Sequence, residues 1–349
     1  MPISPNREAT ATEILDRRSS QATGYIADPA ADPIIPDLPI HRLRSLLGQF
    51  GDPHLTTPFV HVAGSNGKTS TCHFIASICR AAGYNAGLYS SPHLHSYRER
   101  IGISGSLIPR DAFERLIGQL DLAASAIESN WPDLGAFSAF DLLTAAAFVW
   151  FADQDCEIAV IEVGLGGRYD PTNVISPVLS VITPIELEHT EFLGTDIASI
   201  AENKAGIIKT GIPVVSTRQQ HAAQVVIERT AAELGSAVLL QERDWRIVGQ
   251  HNAFDLTDTS GTVTCILDPP GGVSQRNNAG TAACAARHLQ GIALIIDDVS
   301  IREGIAATTI PGRFERRTID GIEYVLDGAH TSDAMRQLVN SVTSTASSP

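Results

Sequence analysis

Phe59-Val60-His61-Val62 passes into a helix through Ala63-Gly64-Ser65-Asn66-Gly67-Lys68-Thr69-Ser70-Thr71, and that junction constrains the fold more than any other stretch. The first four residues read as a short buried strand. Beyond the loop, Phe74, Ile75, Ile78 and Cys79 recur at helical spacing. Glycines let backbone N–H groups turn toward a ligand, a helix N-terminus adds positive potential, and a lysine there reaches phosphate oxygens. The junction is therefore an anion cradle suited to a nucleoside triphosphate. The full P-loop pattern asks for a glycine where Val62 stands. An ordinary strand-to-helix turn with an exposed lysine is thus the competing reading. Thr69, Ser70 and Thr71 share that ambiguity, because hydroxyl residues also cap helix starts.

From about residue 55 the chain alternates short β-branched runs with longer amphipathic ones. Strands are expected at Phe59–Val62, Asn85–Tyr89, Ile158–Val163, Leu179–Thr183 and Pro213–Ser216, and helices at 70–82, 110–128, 138–153, 196–208 and 219–234. Continuous apolar strands separated by helices predict an α/β fold: a mostly parallel sheet flanked by helices on both faces. Functional loops then gather at the carboxyl ends of the strands. Alternation and turn residues over 237–268 suggest a small antiparallel appendage, followed by a helix at 275–290. The expected organisation is a disordered leader over 1–33, an ATP-binding domain over 34–294, a second, incomplete α/β domain over 295–345 and a tail over 346–349.

A net charge of −14 argues against a nucleic-acid or membrane-surface partner, either of which calls for a basic footprint. No run is long and apolar enough to span a bilayer, and residues 1–33 lack the apolar segment of a signal peptide. The five cysteines have no paired metal spacing, which suits reduced thiols. A cytoplasmic, monomeric enzyme is the expectation.

A second informative run is Glu162-Val163-Gly164-Leu165-Gly166-Gly167-Arg168-Tyr169-Asp170-Pro171-Thr172-Asn173. An acid ends an apolar strand and a glycine loop follows. A carboxylate beside bound triphosphate suits Mg2+, and an unpaired buried one is costly, so a merely solvated turn is the weaker reading. His189 follows the next strand and Lys204 sits in an otherwise apolar helix end. Each alone has a bland alternative, a loop histidine or a snorkelling side chain.

Gly64-Ser65-Asn66-Gly67-Lys68, Tyr89-Ser90-Ser91-Pro92-His93-Leu94, the glycine run from Glu162 to Arg168, Glu188-His189-Thr190-Glu191, Lys204-Ala205-Gly206-Ile207 and Asp327-Gly328-Ala329-His330 occur in that order. Together, over about residues 40–340, they resemble the folylpolyglutamate synthase/dihydrofolate synthase family, a branch of the Mur ligase superfamily. The resemblance implies a P-loop-type Mur ligase central domain and an ADP-forming ligase that adds L-glutamate to dihydropteroate or reduced folates through an acyl phosphate. It implies that Gly64, Ser65, Asn66, Gly67, Lys68, Thr69 and Ser70 hold ATP phosphates, with Asn278, Arg313, Asp327 and His330 completing the nucleotide site. Ser91, Glu162 and His189 match magnesium positions, two ions being expected. Lys204 matches a lysine carbamylated in the family, and Asp170 lies where the pterin-bearing substrate binds. Lys68, Lys204 and His189 are the catalytic candidates.

Thr69 stands where folate ligases often carry glycine, Glu188 replaces an aspartate, and Thr331 replaces an asparagine. These departures bear on substrate choice. The matching pattern also stops soon after His330, which reads as C-terminal shortening of the second domain. Another Mur-type amino-acid ligase and an ATP-binding remnant without ligase activity stand as alternatives.

Overall fold

The computed structural model describes residues 10–21, 37–250, 252–268, 271–290, 293–329 and 332–346. It begins with α1 (Ala11–Gln21), α2 (Leu38–Gly48), β1 (Phe59–Ala63), α3 (Lys68–Ala81), β2 (Ala86–Tyr89), β3 (Ile101–Ile103) and β4 (Ser106–Leu107). Then come α4 (Arg110–Asn130), α5 (Ala139–Asp153), β5 (Ile158–Glu162), β6 (Leu179–Ile182), α6 (Thr190–Leu193), α7 (Ile197–Ala205), β7 (Val214–Ser216), α8 (His221–Glu233) and β8 (Val238–Leu240). The remainder is β9 (Arg246–Gln250), β10 (Ala253–Asp258), β11 (Gly261–Ile266), α9 (Gly272–Leu289), α10 (Asp298–Ala306), β12 (Glu315–Ile319), β13 (Ile322–Leu326) and α11 (Ser332–Ala346).

One sheet has the order β4-β3-β2-β5-β1-β6-β7-β8. β1 runs parallel to both neighbours, with Val62 opposite Glu162 on one side and Val181 on the other. β2, β7 and β8 extend the parallel array, while β3 and β4 turn back antiparallel at one edge. Every residue of β1 and β5 is buried, as expected of strands covered on both faces. Leu15, Leu43, Leu120 and Phe148 form the core under α1, α2, α4 and α5. Ile75, Ile78, Ala283 and Ile301 form another under α3, α9 and α10, and Ile200 and Val226 from α7 and α8 cover the third. α5 is apolar almost all round because it lies inside the first of these cores. Its start is set by a capping box, in which Ser138 Oγ accepts from Asp141 N at 3.1 Å and Asp141 Oδ2 accepts from Ser138 N at 2.7 Å.

The structure corrects several boundaries. The segment expected as a disordered leader contains α1, whose Ala11, Ile14 and Leu15 are buried at i, i+3, i+4 spacing. Its buried Arg18 is tied to Asp121 at 2.7 Å. β8 pairs in parallel with β7, so the antiparallel appendage starts at β9. α10 belongs to the first domain's core rather than to a unit beginning near 295. A Cβ on its Gly304 would sit 2.4 Å from Ile78 Cα in α3, an approach only glycine permits. β12 and β13 form a two-stranded antiparallel hairpin, and α11 packs against α9, where a Cβ on Gly272 would sit 2.5 Å from Ser341 Cβ. No described helix is long and apolar enough to cross a membrane.

Parallel order places the carboxyl ends of β2, β5, β1 and β6 side by side. The loops at Ser90–Ser91, 164–167, 64–67 and 184–189 therefore open onto one place.

Candidate active site

Gly64 and Gly67 are the two positions where the loop after β1 admits no side chain. Gly64 has φ +147° and a Cβ there would lie 1.9 Å from Thr183 Oγ1; Gly67 has φ +84° and would place one 2.4 Å from Asn278 Oδ1. The second contact shows α9 leaning on the loop and delivering Asn278 to it. Ser65 N donates to Pro184 O at 2.8 Å, and Asn66 Nδ2 to Glu186 Oε2 at 2.7 Å. The loop is thus anchored to the segment after β6 before any ligand arrives.

Lys68 opens α3, and its Nζ folds back to donate to Gly64 O at 2.8 Å and Ser65 O at 3.2 Å. Gly67, the N-cap, has no side-chain capping bond. The hydroxyls of Thr69 and Ser70 instead make long-range contacts, which answers the capping alternative. Thr69 Oγ1 donates to Glu162 Oε1 at 2.8 Å, and Ser70 Oγ accepts from Gln275 Nε2 at 3.2 Å.

Glu162 ends β5 at 2% exposure. Its other oxygen accepts from Ser91 N at 2.9 Å. Burial pushes its carboxyl up, against the opposing pull of the Lys68 ammonium and these hydrogen bonds. Lys204, at 1% exposure in the last turn of α7, donates to Glu188 Oε1 at 2.6 Å and to Gly64 O at 2.8 Å. Burial, then the nearby Lys68, lowers Lys204 to about 8. For Glu188, burial alone would raise the carboxyl, but Lys204 and Lys68 more than offset it and hold it low.

These groups surround a cleft of about 370 Å3. Lys68, Ser91, Glu162, His189, Asn278, Arg313 and Asp327 all line it. His189 is exposed there in a left-handed conformation at φ +46°. Asp327 Oδ2 accepts from Phe314 N at 2.7 Å and Oδ1 from Ala329 N at 2.8 Å, fixing the chain around Arg313. His330, and Thr331 beside it, lie outside the described residues.

Asp170 is the exception. It is absent from the cleft wall and 3% exposed. Its Oδ1 accepts from Thr172 N at 2.9 Å and Thr172 Oγ1 at 2.5 Å, and its Oδ2 from Leu165 N at 2.8 Å. In the structure its carboxylate is held by its own loop rather than turned to the cleft. Burial raises it to about 6 even so.

Gln275, Glu186 and Gln337 were not among the expected residues. Gln275 and Gln337 line the cleft and Glu186 grips Asn66. Gln275 carried a usable signal, because it precedes Asn278 by three residues on one helix face. Among the described residues no three His, Cys, Asp or Glu side chains converge as a metal-holding group.

No protein-family model matches the chain. The folylpolyglutamate synthase (FPGS) of Lacticaseibacillus casei is 34% identical over 314 residues, which cover 88% of this chain and 73% of that protein. The dihydrofolate synthase/folylpolyglutamate synthase of Bacillus subtilis is 35% identical over 313 residues, 86% and 71% of the two chains. A solved FPGS–AMPPCP–folate complex superposes with a TM-score of 0.86 at 32% identity, over 98% of this chain and 82% of that one. With the parallel sheet, the glycine loop and the shared cleft, these likenesses make the chain a member of the folylpolyglutamate synthase/dihydrofolate synthase family of ATP-dependent ligases.

Proposed function

We propose that the chain joins the amino group of L-glutamate to the carboxylate of a pteroate or folate acceptor, dihydropteroate or a reduced folate. The observation that carries this reading is the convergence of Lys68, Glu162, Asn278, Arg313 and Asp327 on one cleft beside an anchored glycine loop. A relative of the same fold bound to both AMPPCP and folate supports it.

In this reading the loop N–H groups and Lys68 receive the triphosphate, Lys68 exchanging its bonds to Gly64 O and Ser65 O for phosphate oxygens. An oxygen of the acceptor carboxylate attacks the γ-phosphorus and ADP leaves, giving an acyl phosphate. The glutamate amine then attacks the acyl carbon, and inorganic phosphate departs as the amine loses its proton. No protein nucleophile is required; positioning and charge neutralisation carry the rate. Asn278, held against Gly67, and Arg313 orient the nucleotide from the opposite wall.

Glu162, with Ser91 and His189 on the same cleft wall, would hold magnesium shared with phosphate, because Mg2+ takes one or two carboxylates and fills its shell with phosphate oxygens and water. That ion would offset negative charge on the phosphoryl group being transferred. Carbamylation of Lys204, in place of its bond to Glu188, would supply a carboxylate-like ligand for a second ion. The lowered Lys204 supports that reading, since the reaction requires the neutral amine. An assay of glutamate- and Mg2+-dependent phosphate release, run with dihydropteroate and tetrahydrofolate in parallel, tests the proposal. Release with either acceptor supports it and names the substrate, whereas ATP binding with no release from either overturns it.

A further inference from the structure

Thr69 follows Lys68 in the first turn of α3, and its hydroxyl turns away from that helix. A hydroxyl at a helix start ordinarily accepts from a free N–H of the same turn. Here Thr69 Oγ1 lies 2.8 Å from Glu162 Oε1 and 3.2 Å from Ser91 O, and both partners are acceptors. The hydroxyl has one proton to give, and the shorter, charge-assisted approach is to the carboxylate. Ser91 N donates to Glu162 Oε2 at 2.9 Å and closes the ring. The chain after β1, the end of β5 and the chain after β2 are thus joined at one carboxyl group.

This ring fixes the carboxylate as well as satisfying it. A long glutamate side chain bonded at one oxygen can still turn its plane. Held at both oxygens by groups from two different segments, the Glu162 plane is set. Thr69 is itself β-branched, half-buried and stiff about χ1, so its hydroxyl is a firm support. Among the described residues, these two bonds take only part of the acceptor capacity of a carboxylate. Glu162 also lines the nucleotide cleft, so the capacity left over suits a hard cation. A buried acid merely in need of a donor is the plainer reading of the same bond, and it predicts an effect on stability alone.

We infer that Thr69 is a positioning residue for magnesium: its hydroxyl sets the plane of the Glu162 carboxylate, which in turn takes the ion. The inference rests on the magnesium reading above. It departs from the expectation that Thr69 holds phosphate, because the hydroxyl acts through Glu162.

Calorimetric titration of the full chain with AMPPCP, in EDTA and then with Mn2+ standing in for Mg2+, tests the role without turnover. The wild type is expected to bind AMPPCP more tightly with Mn2+. Thr69→Val keeps the branched shape and loses the hydroxyl. It should leave the affinity in EDTA in place and weaken Mn2+ binding to the AMPPCP complex about tenfold or more, the range for a group that orients a metal ligand. Thr69→Ser should restore most of that loss. Equal weakening with and without metal would put the hydroxyl on the phosphates. A lower melting temperature with unchanged Mn2+ affinity would leave it a structural bond. Thr69→Cys separates support from ligation: a preference shifted from Mn2+ to the softer Cd2+ would place this side chain on the metal itself. Each of these outcomes overturns the inference. If the wild type gains nothing from Mn2+, the magnesium reading itself has failed, a result distinct from a metal-dependent wild type with an indifferent Thr69→Val.

Discussion

Lys68 and Lys204 donate to the same atom: the Gly64 carbonyl oxygen accepts each Nζ at 2.8 Å. Two ammonium groups held on one carbonyl repel, and Lys68 is the leading charge that lowers Lys204. The phosphate loop and the Lys204–Glu188 pair are therefore one electrostatic unit. A ligand that draws Lys68 away changes the state of Lys204.

Lys68→Ala is expected to cut turnover by about a hundredfold or more while leaving the melting temperature almost unchanged. The side chain spans its own loop and contributes little packing, and Gly64 O keeps its bond from Lys204. Glutamate-dependent phosphate release and a thermal melt check the two halves separately. Substantial residual turnover would remove Lys68 from the phosphate site.

The Lys204 amine also sets a pH dependence of stability. Its folded value of about 8 lies below the ordinary 10.5, so between these limits the unfolded chain binds more protons than the native one. Stability contributed by this group therefore rises with pH across that window, by roughly 3 kcal/mol at most. The difference in stability between the wild type and Lys204→Met, followed by denaturation from pH 7 to 11, should rise across that window, since the buried cysteines and Tyr89 titrate alike in both. If carbamylation occurs, Lys204→Ala turnover should be partly rescued by acetate, and absence of rescue would speak for the ammonium form.

Much of the site was legible because chemistry and chain order coincide. Gly64, Gly67 and Lys68 lie in one loop, and Glu162 ends a strand whose apolar run announces its burial. Asp170 shows the limit, since an acid in an Asp-Pro-Thr-Asn turn reads the same whether it faces a ligand or its own backbone. α1 was hidden by polar neighbours, although Ala11, Ile14 and Leu15 carry helical spacing. The place of α10 depends on Gly304 meeting Ile78, a contact between distant parts of the chain with no local signature. Gln275 carries little signal beside Asn278, because glutamine on a helix is ordinarily a solvated side chain.

Gly67→Ala should be costly for two separable reasons. A left-handed alanine at φ +84° is strained by about 1–3 kcal/mol, and its Cβ would meet Asn278 Oδ1 at 2.4 Å. The double variant Gly67→Ala with Asn278→Ala removes the collision and keeps the strain. Part of the lost stability should return in a thermal melt, while ATP affinity stays weak because Asn278 is also gone. Full recovery of ATP binding would place Asn278 outside the nucleotide site.

Asp170→Ala tests whether that carboxylate is a loop support or a substrate contact. Its removal strands the Leu165 and Thr172 N–H groups and the Thr172 hydroxyl, which also meets His61 Nε2 at 2.9 Å. A loss of roughly 2 kcal/mol in stability is expected, as for buried donors left without an acceptor. Titration adds a signature specific to the native side chain. Its folded value of about 6 lies above the ordinary 3.8, so the native state holds the proton more tightly in that window, and wild-type stability from this group falls as pH rises through it. Asp170→Ala should lack that slope in denaturation from pH 3 to 7. A variant with unchanged stability and only a raised KM for the pteroate or folate acceptor would return Asp170 to direct substrate contact, because a support cannot be removed without loosening the loop it holds.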